Sequence, residues 1–405
     1  MSTHDWEELS IKPITPMLLG GPVVDGRIQC RPRTQLIPSL RGELRWWWRA
    51  IVGPLVGSDL GLLHQLESQM FGRAVEGEDG FQSPIRLRLL STPECETVPS
   101  GSLPEFADNR WVKYLLGQGV VERVTTEEPR YWNFRRDGYI VAGNTFKVRV
   151  QFRPPSDDST ALPVEIARSL FGYLLWFVSQ FGGLGARSRR GFGAINITWK
   201  RGIVPPWSSA EGVLAEVHKV IVDAGLASPA SSAKSSSRSP FPMFRDGHYY
   251  TGSRPIYEKP LAELARLGES WRRHRATREV DDSKCRLGLK TPEWLDTVSK
   301  ANPRRPPTEP FGLGALGMPV QFKKEIGVNV VADDGSPLRL ASPVRFRPAM
   351  SPGGLILNAV GFATEPHPPC GKLMISNGNV QTPVSLPYEV VVERVQSAVK
   401  ALTSD

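Results

Sequence analysis

From Phe146 to Arg153 the chain alternates without a break, with Phe146, Val148, Val150 and Phe152 on one side and Lys147, Arg149, Gln151 and Arg153 on the other. A period of two puts one side of a strand into a core and leaves the other wet, here with a basic surface. Residues 163–181, PVEIARSLFGYLLWFVSQF, are apolar almost all round, and Pro163 suits a first helical turn, so a largely buried helix follows that strand. Further strands are predicted at 7–14, 27–33, 85–91 and 194–200. One helix is predicted from Leu40, with Ser39 as N-cap behind Pro38, and another over 59–71, between Asp59 and Gly72. The order is strand, helix, strand, strand, helix, strand, that of a ferredoxin-like unit and of RNA-recognition domains.

The expected class is therefore α+β, with a first ferredoxin-like (RRM-like) domain over 1–202 and part of 92–143 as an insertion loop. Residues 203–240 are expected to be a linker or flexible insertion, since 228–240 (SPASSAKSSSRSP) is rich in serine and poor in apolar residues. A second ferredoxin-like domain is expected over 241–405, with strands at 248–256, 319–324, 342–347 and 355–362. It would carry a basic helix at 258–275 and a closing helix at 387–402, with a polar, proline-containing stretch at 276–310.

Fifty Lys and Arg against 41 Asp and Glu give a formal charge of +9. That excess matters only where it clusters. Cys30, Cys95, Cys285 and Cys370 are scattered, and neither they nor the six histidines have zinc-site spacing. The expectation is free thiols in a reducing compartment, with no metal and no cofactor. No apolar run approaches the roughly 18 residues of a membrane span, and MSTHDWEELS lacks a secretory apolar core, so a cytoplasmic location is expected.

The charge clusters in three places. On the helix from Leu40, Leu40, Leu44, Trp47 and Ile51 form one stripe that should face a core. Arg41, Arg45 and Arg49 form the neighbouring stripe, bordered by Trp48 and Trp46. Guanidinium forks match phosphate oxygens and indoles stack on bases; the alternative is a solvated arginine face with Trp48 in the core. The second cluster is GGLGARSRRGFG, Gly182–Gly193. Glycines such as Gly183 and Gly185 let backbone approach a ligand, Arg187, Arg189 and Arg190 supply charge, Ser188 a donor, and Phe192 an aromatic ring. A helix precedes this loop and a strand follows it, which is the reverse of a dinucleotide fingerprint. Its alternative is a solvated connection. The third cluster is Arg272, Arg273, Arg275 and Arg278 in WRRHRATR, equally readable as a solvated helix face; Arg254 and the Arg304-Arg305 pair are weaker signals of this kind.

Catalytic patterns are poor. Asp281-Asp282 and Asp333-Asp334 are adjacent acids in polar stretches, whereas two-metal nucleases need carboxylates converging from separate elements. His64, or His248 with Tyr249, are the candidates for a general acid/base.

TPMLLGG (15–21), the arginine-bearing segment to 33, PSLRGELRWWWRA (38–50), LESQMFG (66–72), GGLGARSRRGFG (182–193) and RLASPVRFRP (339–348) stand in this order along the chain. In that combination the chain resembles the RAMP superfamily, and within it the large, first-numbered RAMP subunit of the type III-B (Cmr) CRISPR RNA-guided complexes. The resemblance implies two packed ferredoxin-like RAMP domains, with Gly182–Gly193 as the family's glycine-rich loop and Arg41, Arg45 and Arg49 on the first-domain helix. It implies a non-catalytic, RNA-binding role in antiviral defence, near the 3′ part of the crRNA, with crRNA, target RNA and other RAMP subunits as partners. Two other readings stay open: a RAMP-type endoribonuclease that processes precursor crRNA, and an assembly subunit that meets only protein.

Overall fold

The structure is a computed structural model. It describes residues 5–57, 59–73, 82–124, 131–153, 162–200, 202, 209–227, 241–276, 297–301, 304, 306–318, 320–323, 326–365, 371–377 and 380–404. Cys285, Cys370, Arg278, Arg305, Asp281, Asp282 and the serine-rich 228–240 lie outside the described residues. The fold is mixed α/β with small antiparallel sheets, and the chain divides into two compact units. The first comprises Met1–Ser236, Pro255–Leu264 and Phe346–Asn358; the second comprises Ser237–Arg254, Ala265–Arg345 and Ala359–Asp405.

The first unit opens with β1 (Glu7–Pro13), the short hairpin β2 (Val23–Val24) and β3 (Arg27–Ile28), then α1 (Pro32–Val56) and α2 (Leu60–Phe71). Next come β4 (Ile85–Ser91), β5 (Glu96–Thr97), α3 (Arg110–Leu116), β6 (Val121–Val124), β7 (Tyr131–Phe134) and β8 (Gly138–Tyr139). The unit continues with β9 (Phe146–Phe152), α4 (Val164–Gln180), β10 (Ile195–Trp199) and α5 (Ala210–Asp223). Its main sheet runs β10-β1-β9-β4, with neighbouring strands antiparallel. Leu9 faces Trp199 on one side and Val148 on the other, which brings the apolar residues of all these strands to one face. Phe146, Val148 and Val150 are fully buried there, while Lys147 and Arg149 are exposed, as the alternation requires.

The helices α1 and α4 cover that face. Trp47 stacks on Phe177 at 5.5 Å between ring centroids, and Phe152 and Phe171 meet Trp199 at 5.8 and 5.6 Å. Asp59 caps α2 by accepting the Leu62 N–H at 2.8 Å, and Gly72 ends it.

Three expectations change. First, α1 begins at Pro32 rather than at Ser39, and it runs through Pro38 and Pro54. Pro32 sits in the first turn, where its missing N–H costs nothing. Leu36 and Leu40 are both fully buried. At about 1.5–3 kcal/mol each, their burial offsets the roughly 3 kcal/mol of an interior proline. The strand expected at 27–33 accordingly shrinks to Arg27–Ile28. Second, residues 210–223, read as linker, form α5, whose Val213, Leu214, Val217 and Ile221 are buried. Ser209 caps it, its side chain accepting the Gly212 N–H at 3.1 Å. Third, the stretch 92–143 is largely built: Asn109 accepts the Trp111 N–H at 2.8 Å and so starts α3.

Later in the chain come β11 (Tyr249–Pro255), α6 (Pro260–Ala276), β12 (Val320–Lys323), β13 (Ile326–Ala332) and β14 (Pro337–Leu338). They are followed by β15 (Val344–Ser351), β16 (Gly354–Phe362), β17 (Gly371–Asn377), β18 (Val380–Pro383) and α7 (Tyr388–Thr403). The second unit holds an antiparallel sheet β12-β13-β17-β18 with β14 paired to β13; Val328 faces Ile375 and Val330 faces Leu373. β11, β16 and β15 form a separate sheet in that order, and α7 buries Val391, Val395 and Val399. The β13–β17 pairing gives this region more sheet than the sequence alone suggests.

Candidate nucleic-acid interface

The glycine-rich segment joins α4 to β10, two elements of the first core, so both of its ends are fixed. Arg347 fixes them further. It is fully buried, and its guanidinium donates to the Val178 carbonyl at 2.7 Å, to the Ile195 carbonyl at 2.7 Å and to the Gly182 carbonyl. One side chain thus ties the last turn of α4, the first residue of the loop and the first residue of β10. Burial pulls its pKa down to about 9, with Glu43 opposing, so it stays charged at neutral pH. Sequence reading placed Arg347 in a strand and gave it no role; a single arginine in RLASPVRFRP does not announce which carbonyls it will meet.

Inside the loop the backbone turns inward. The Leu184 N–H donates to Gly193 O at 2.9 Å, Ala186 N–H to Leu18 O at 2.8 Å, Gly193 N–H to Pro16 O at 2.8 Å, and Ala194 N–H to Thr15 Oγ1 at 3.0 Å. The glycines serve this packing. Gly185 has φ +89°, and a Cβ there would lie 2.6 Å from Leu18 O; at Gly193, φ +60°, one would lie 1.9 Å from Leu184 O. Gly183 is buried against Gly193 and Ser188, and Phe192 is buried 6.1 Å from the Phe106 ring. The amide cradle expected from the glycines is therefore replaced by a compact loop, because three of its amides and that of Ala194 just after it are already satisfied by the TPMLLGG segment and by the loop itself.

What the loop presents is side chains, and residues 185–190 are all half-exposed. Arg187 is a non-glycine residue at φ +63°, a conformation that costs an L-residue about 1–2 kcal/mol. Its guanidinium lies over the turn after α3, where a Cβ on Gly119 would be 3.0 Å from Nη2. Among the described residues it has no hydrogen-bond or ion-pair partner. Arg190 donates from Nη1 to Leu115 O at 3.2 Å at the end of α3, and the Arg189 carbonyl accepts the Phe346 N–H at 3.2 Å. Arg136, close enough to feel the charge of Arg187, is 4% exposed, donates to Leu19 O at 2.8 Å and leaves its Nε buried without a partner. Arg27 donates to Val98 O at 2.7 Å and to the Arg136 carbonyl, and its Nε is likewise unpartnered. Burial pulls the pKa of Arg136 below the usual guanidinium value, with Arg187 adding repulsion and the Cys30 thiol and Asp137 opposing; burial alone pulls down Arg187. A half-exposed arginine repelled by a buried one is an anion-seeking arrangement. Arg136, in the Arg135-Arg136 pair, and Arg27, in the arginine-bearing segment to 33, were not singled out by the sequence reading, because nothing local shows that they are buried beside the loop.

The α1 face behaves differently. Arg41 is exposed, but Arg45 and Arg49 both turn to Glu67 of α2, at 3.4 Å and 2.8 Å. Arg45 also donates to the Phe71 and Gly72 carbonyls, at 3.2 Å each. Trp48, expected to stack on bases, is 1% exposed and meets Phe71 edge-on at 6.1 Å, so it is a core residue. Trp46 is half-buried against Trp47. In the second unit, Arg273 pairs with Glu269 at 2.8 Å, Arg275 lies over the Trp271 ring at 5.8 Å, and Arg272 stands beside them on the last turns of α6. His64 is exposed on α2. His248 meets the Tyr388 hydroxyl rather than Tyr249, whose ring packs on Phe244 at 5.1 Å. Burial, then Arg245, lowers the His248 pKa.

The solvent face of the main sheet, by alternation, carries Lys12, Arg86, Arg88, Lys147 and Arg149, with Arg88 directly opposite Arg149. No aromatic side chain stands among the alternate residues of that face. Among the described residues, no helix is long and apolar enough to cross a membrane.

Comparison with known proteins matches residues 10–196 to the RAMP superfamily, a span that holds β4, β9, the glycine-rich loop and Arg136. The chain is 29% identical over 166 residues to the CRISPR system Cmr subunit Cmr1-1 of Pyrococcus furiosus, covering 40% of this chain and 39% of that relative's length. It is 23% identical over 201 residues to Cmr1-2 of the same organism, covering 47% of this chain and 94% of the relative. The crystal structure of Cmr1 from P. furiosus in its apo form superposes with a TM-score of 0.52 at 17% identity, over 97% of this chain and 96% of that one, a likeness of fold.

Proposed function

We propose, on the premise that this chain belongs to the RAMP superfamily, that it is a non-catalytic RNA-binding subunit of a type III-B CRISPR effector complex. In this reading it contacts crRNA, target RNA or both near the crRNA 3′ end, beside other RAMP subunits, and serves antiviral defence. The main sheet, ordered β10-β1-β9-β4 with α1 and α4 on one face, is read as the first of two ferredoxin-like domains. The second ferredoxin-like domain is read within residues 241–405.

The observation that carries the proposal is the Arg187–Arg136 pair at the glycine-rich loop. A guanidinium with no partner among the described residues, held in a strained backbone conformation and repelled by a buried arginine with an unsatisfied Nε, is a poor way to stabilise a free protein. It is a good way to hold a phosphate. The lack of aromatics on the open sheet face favours backbone recognition over base stacking, hence tolerance of RNA sequence. A second reading, metal-independent endoribonuclease, draws on the His248–Tyr388 hydrogen bond, since a histidine with a phenol is one form of general acid/base pair.

The test is binding of the purified chain to labelled single-stranded RNA across a salt series, with RNA length checked afterwards. Binding should weaken with salt at roughly −0.7 log–log units per neutralised phosphate, and the RNA should stay intact. Cleaved RNA that survives removal of divalent ions, and is lost in His248→Gln, would install the nuclease reading. Absence of binding at low salt would leave the protein-only assembly role.

A further inference from the structure

Cys30 and Cys95 are 65 positions apart in the chain, yet they fold against each other. Cys30 follows the β2–β3 hairpin, and its N–H donates to Asp137 Oδ1 at 2.6 Å. Cys95 directly precedes β5, which pairs with β8 through Glu96 and Tyr139. Since Asp137 directly precedes β8, these contacts bring both cysteines to one spot. There the Cys95 thiol donates to the Cys30 carbonyl oxygen at 3.5 Å, and the two side chains interact. Both are half-buried, so a solute in water can reach them.

The surroundings divide the labour between the two sulfurs. The neighbouring Cys30 side chain pulls the Cys95 thiol below its ordinary value, with Arg31 helping and burial and Asp137 opposing. Cys30 is pushed up by the Cys95 side chain, then by burial and by the charges of Cys95 and Asp137, with Arg136 opposing. Two thiols held side by side can supply one attacking thiolate and one resolving thiol, and the direction of these shifts favours Cys95 as the attacker. This is the asymmetry that dithiol exchange requires.

We infer that Cys30 and Cys95 form a dithiol modification site that reacts with a disulfide oxidant of the glutathione class and closes to an intramolecular disulfide. The Cys95 thiolate attacks one sulfur of oxidised glutathione; the glutathione S–S bond breaks, a mixed disulfide forms at Cys95, and one glutathione thiolate leaves. Cys30 then gives its proton to solvent, and its sulfur attacks Cys95 Sγ. The protein disulfide forms as the second glutathione thiolate departs. Two electrons pass from the protein to one glutathione disulfide, giving two reduced glutathiones, and excess thiol reverses the sequence. The bond would fasten the segment after β3 to the strand before α3, next to Asp137 and Arg136.

The experiment uses the full chain, fully reduced and then exposed to oxidised glutathione, with free thiols trapped by alkylation at intervals. Intact mass and non-reducing peptide maps are the readouts. The expected result is loss of two alkylatable thiols, with a Cys30–Cys95 linked peptide forming at least ~10-fold faster from the folded chain than from the urea-unfolded chain. Cys30→Ser should stop at a glutathione adduct on Cys95, and Cys95→Ser should react slowly at Cys30. No linked peptide from the folded wild type, equal rates folded and unfolded, or links to Cys285 or Cys370 in preference would overturn the inference. The wild-type comparison decides the matter even where a serine variant fails to fold.

Discussion

Arg347 is the side chain whose loss should tell most about how the loop is held. Replacing it by Leu keeps most of the volume and removes the donors to Val178, Gly182, Ile195 and Pro348. The cost has two parts. Each charge-assisted hydrogen bond contributes about 1.5–3 kcal/mol net, and each buried carbonyl left alone costs ~1–3 kcal/mol. These overlap, since one guanidinium serves all of the carbonyls, and removal of its charge recovers part of the desolvation cost. The net expectation is a loss of about 3–5 kcal/mol, the range for breaking a buried charged network. With a urea slope of roughly 2 kcal/mol per molar, the unfolding midpoint of the first unit should fall by more than 1 M. Arg347→Lys, with one donor group in place of a fork, should fall in between. Limited trypsin digestion gives a local readout, because Arg187, Arg189 and Arg190 lie within the loop that Arg347 clasps. Cleavage there should accelerate in Arg347→Lys under conditions where the global fold persists. A Leu variant that unfolds within ~0.5 kcal/mol of wild type, with the loop no more sensitive to trypsin, would refute the clasp, since surface changes have effects of that size.

Three other outcomes follow from the same geometry. Arg187→Gly relieves a left-handed arginine and removes repulsion with Arg136, so urea denaturation should show a gain of about 1 kcal/mol. RNA affinity should fall and the salt slope flatten by ~0.7; a variant that loses stability, or binds RNA as before, contradicts the anion role. Glu67→Gln releases Arg45 and Arg49 from their carboxylate. If the α1 face meets RNA, affinity should rise several-fold by filter binding at low salt, and no change would remove that face from the interface. The third concerns pH. His248 and His274 both have folded pKa values depressed by burial, below the 6.5 of a free imidazole. Their contribution is present above pH 6.5 and is lost as pH falls through the depressed values, because folding disfavours their protonated forms. A His248→Gln, His274→Gln double variant should therefore lose less stability than wild type between pH 7 and 5, as read from thermal midpoints; identical profiles would rule these residues out.

How much of this the sequence shows depends on how far apart the interacting residues are. The β9 alternation, the buried α4 and the Asp59–Gly72 limits of α2 are local signals, and each falls within a residue or two of where it was read. The start of α1 was misplaced because Pro38 speaks locally against a helix, while the burial that overrides it belongs to the packed core. The same reason explains α5: its apolar spacing at Val213, Leu214, Val217 and Ile221 is helical, but the serine-rich stretch beside it dominated the composition. Within the site, Arg187, Arg189 and Arg190 are legible as a run. Arg136, Arg347 and Arg27 are not, since the carbonyls that their side chains bond lie at separations from 1 to 169 residues and mostly beyond 70.

That difference in range bears on how the loop works. Glycine-rich loops that cradle phosphates do so by leaving amides free, and here the amides of Leu184, Ala186, Gly193 and Ala194 are already bonded. Inward bonding makes the loop stiff, and a stiff loop can hold Arg187 at a positive φ that a flexible one would relax. The strain is then available to a ligand in one way: a phosphate that bonds the guanidinium offsets the repulsion from Arg136 without requiring the backbone to move. Glycine content in this protein therefore points to tight packing against residues 15–21, and under the proposed function the recognition chemistry falls to the arginines. An RNA contact made this way should depend on Arg187 far more than on its glycine neighbours, provided the variant compared is one that leaves the packing intact. Ser188→Ala is such a control, because Ser188 is half-exposed with its Cβ near Gly183 and carries none of the loop's charge. If Ser188→Ala weakened RNA binding as much as Arg187→Gly does, recognition would rest on the shape and polar surface of the loop, and the electrostatic account would fail.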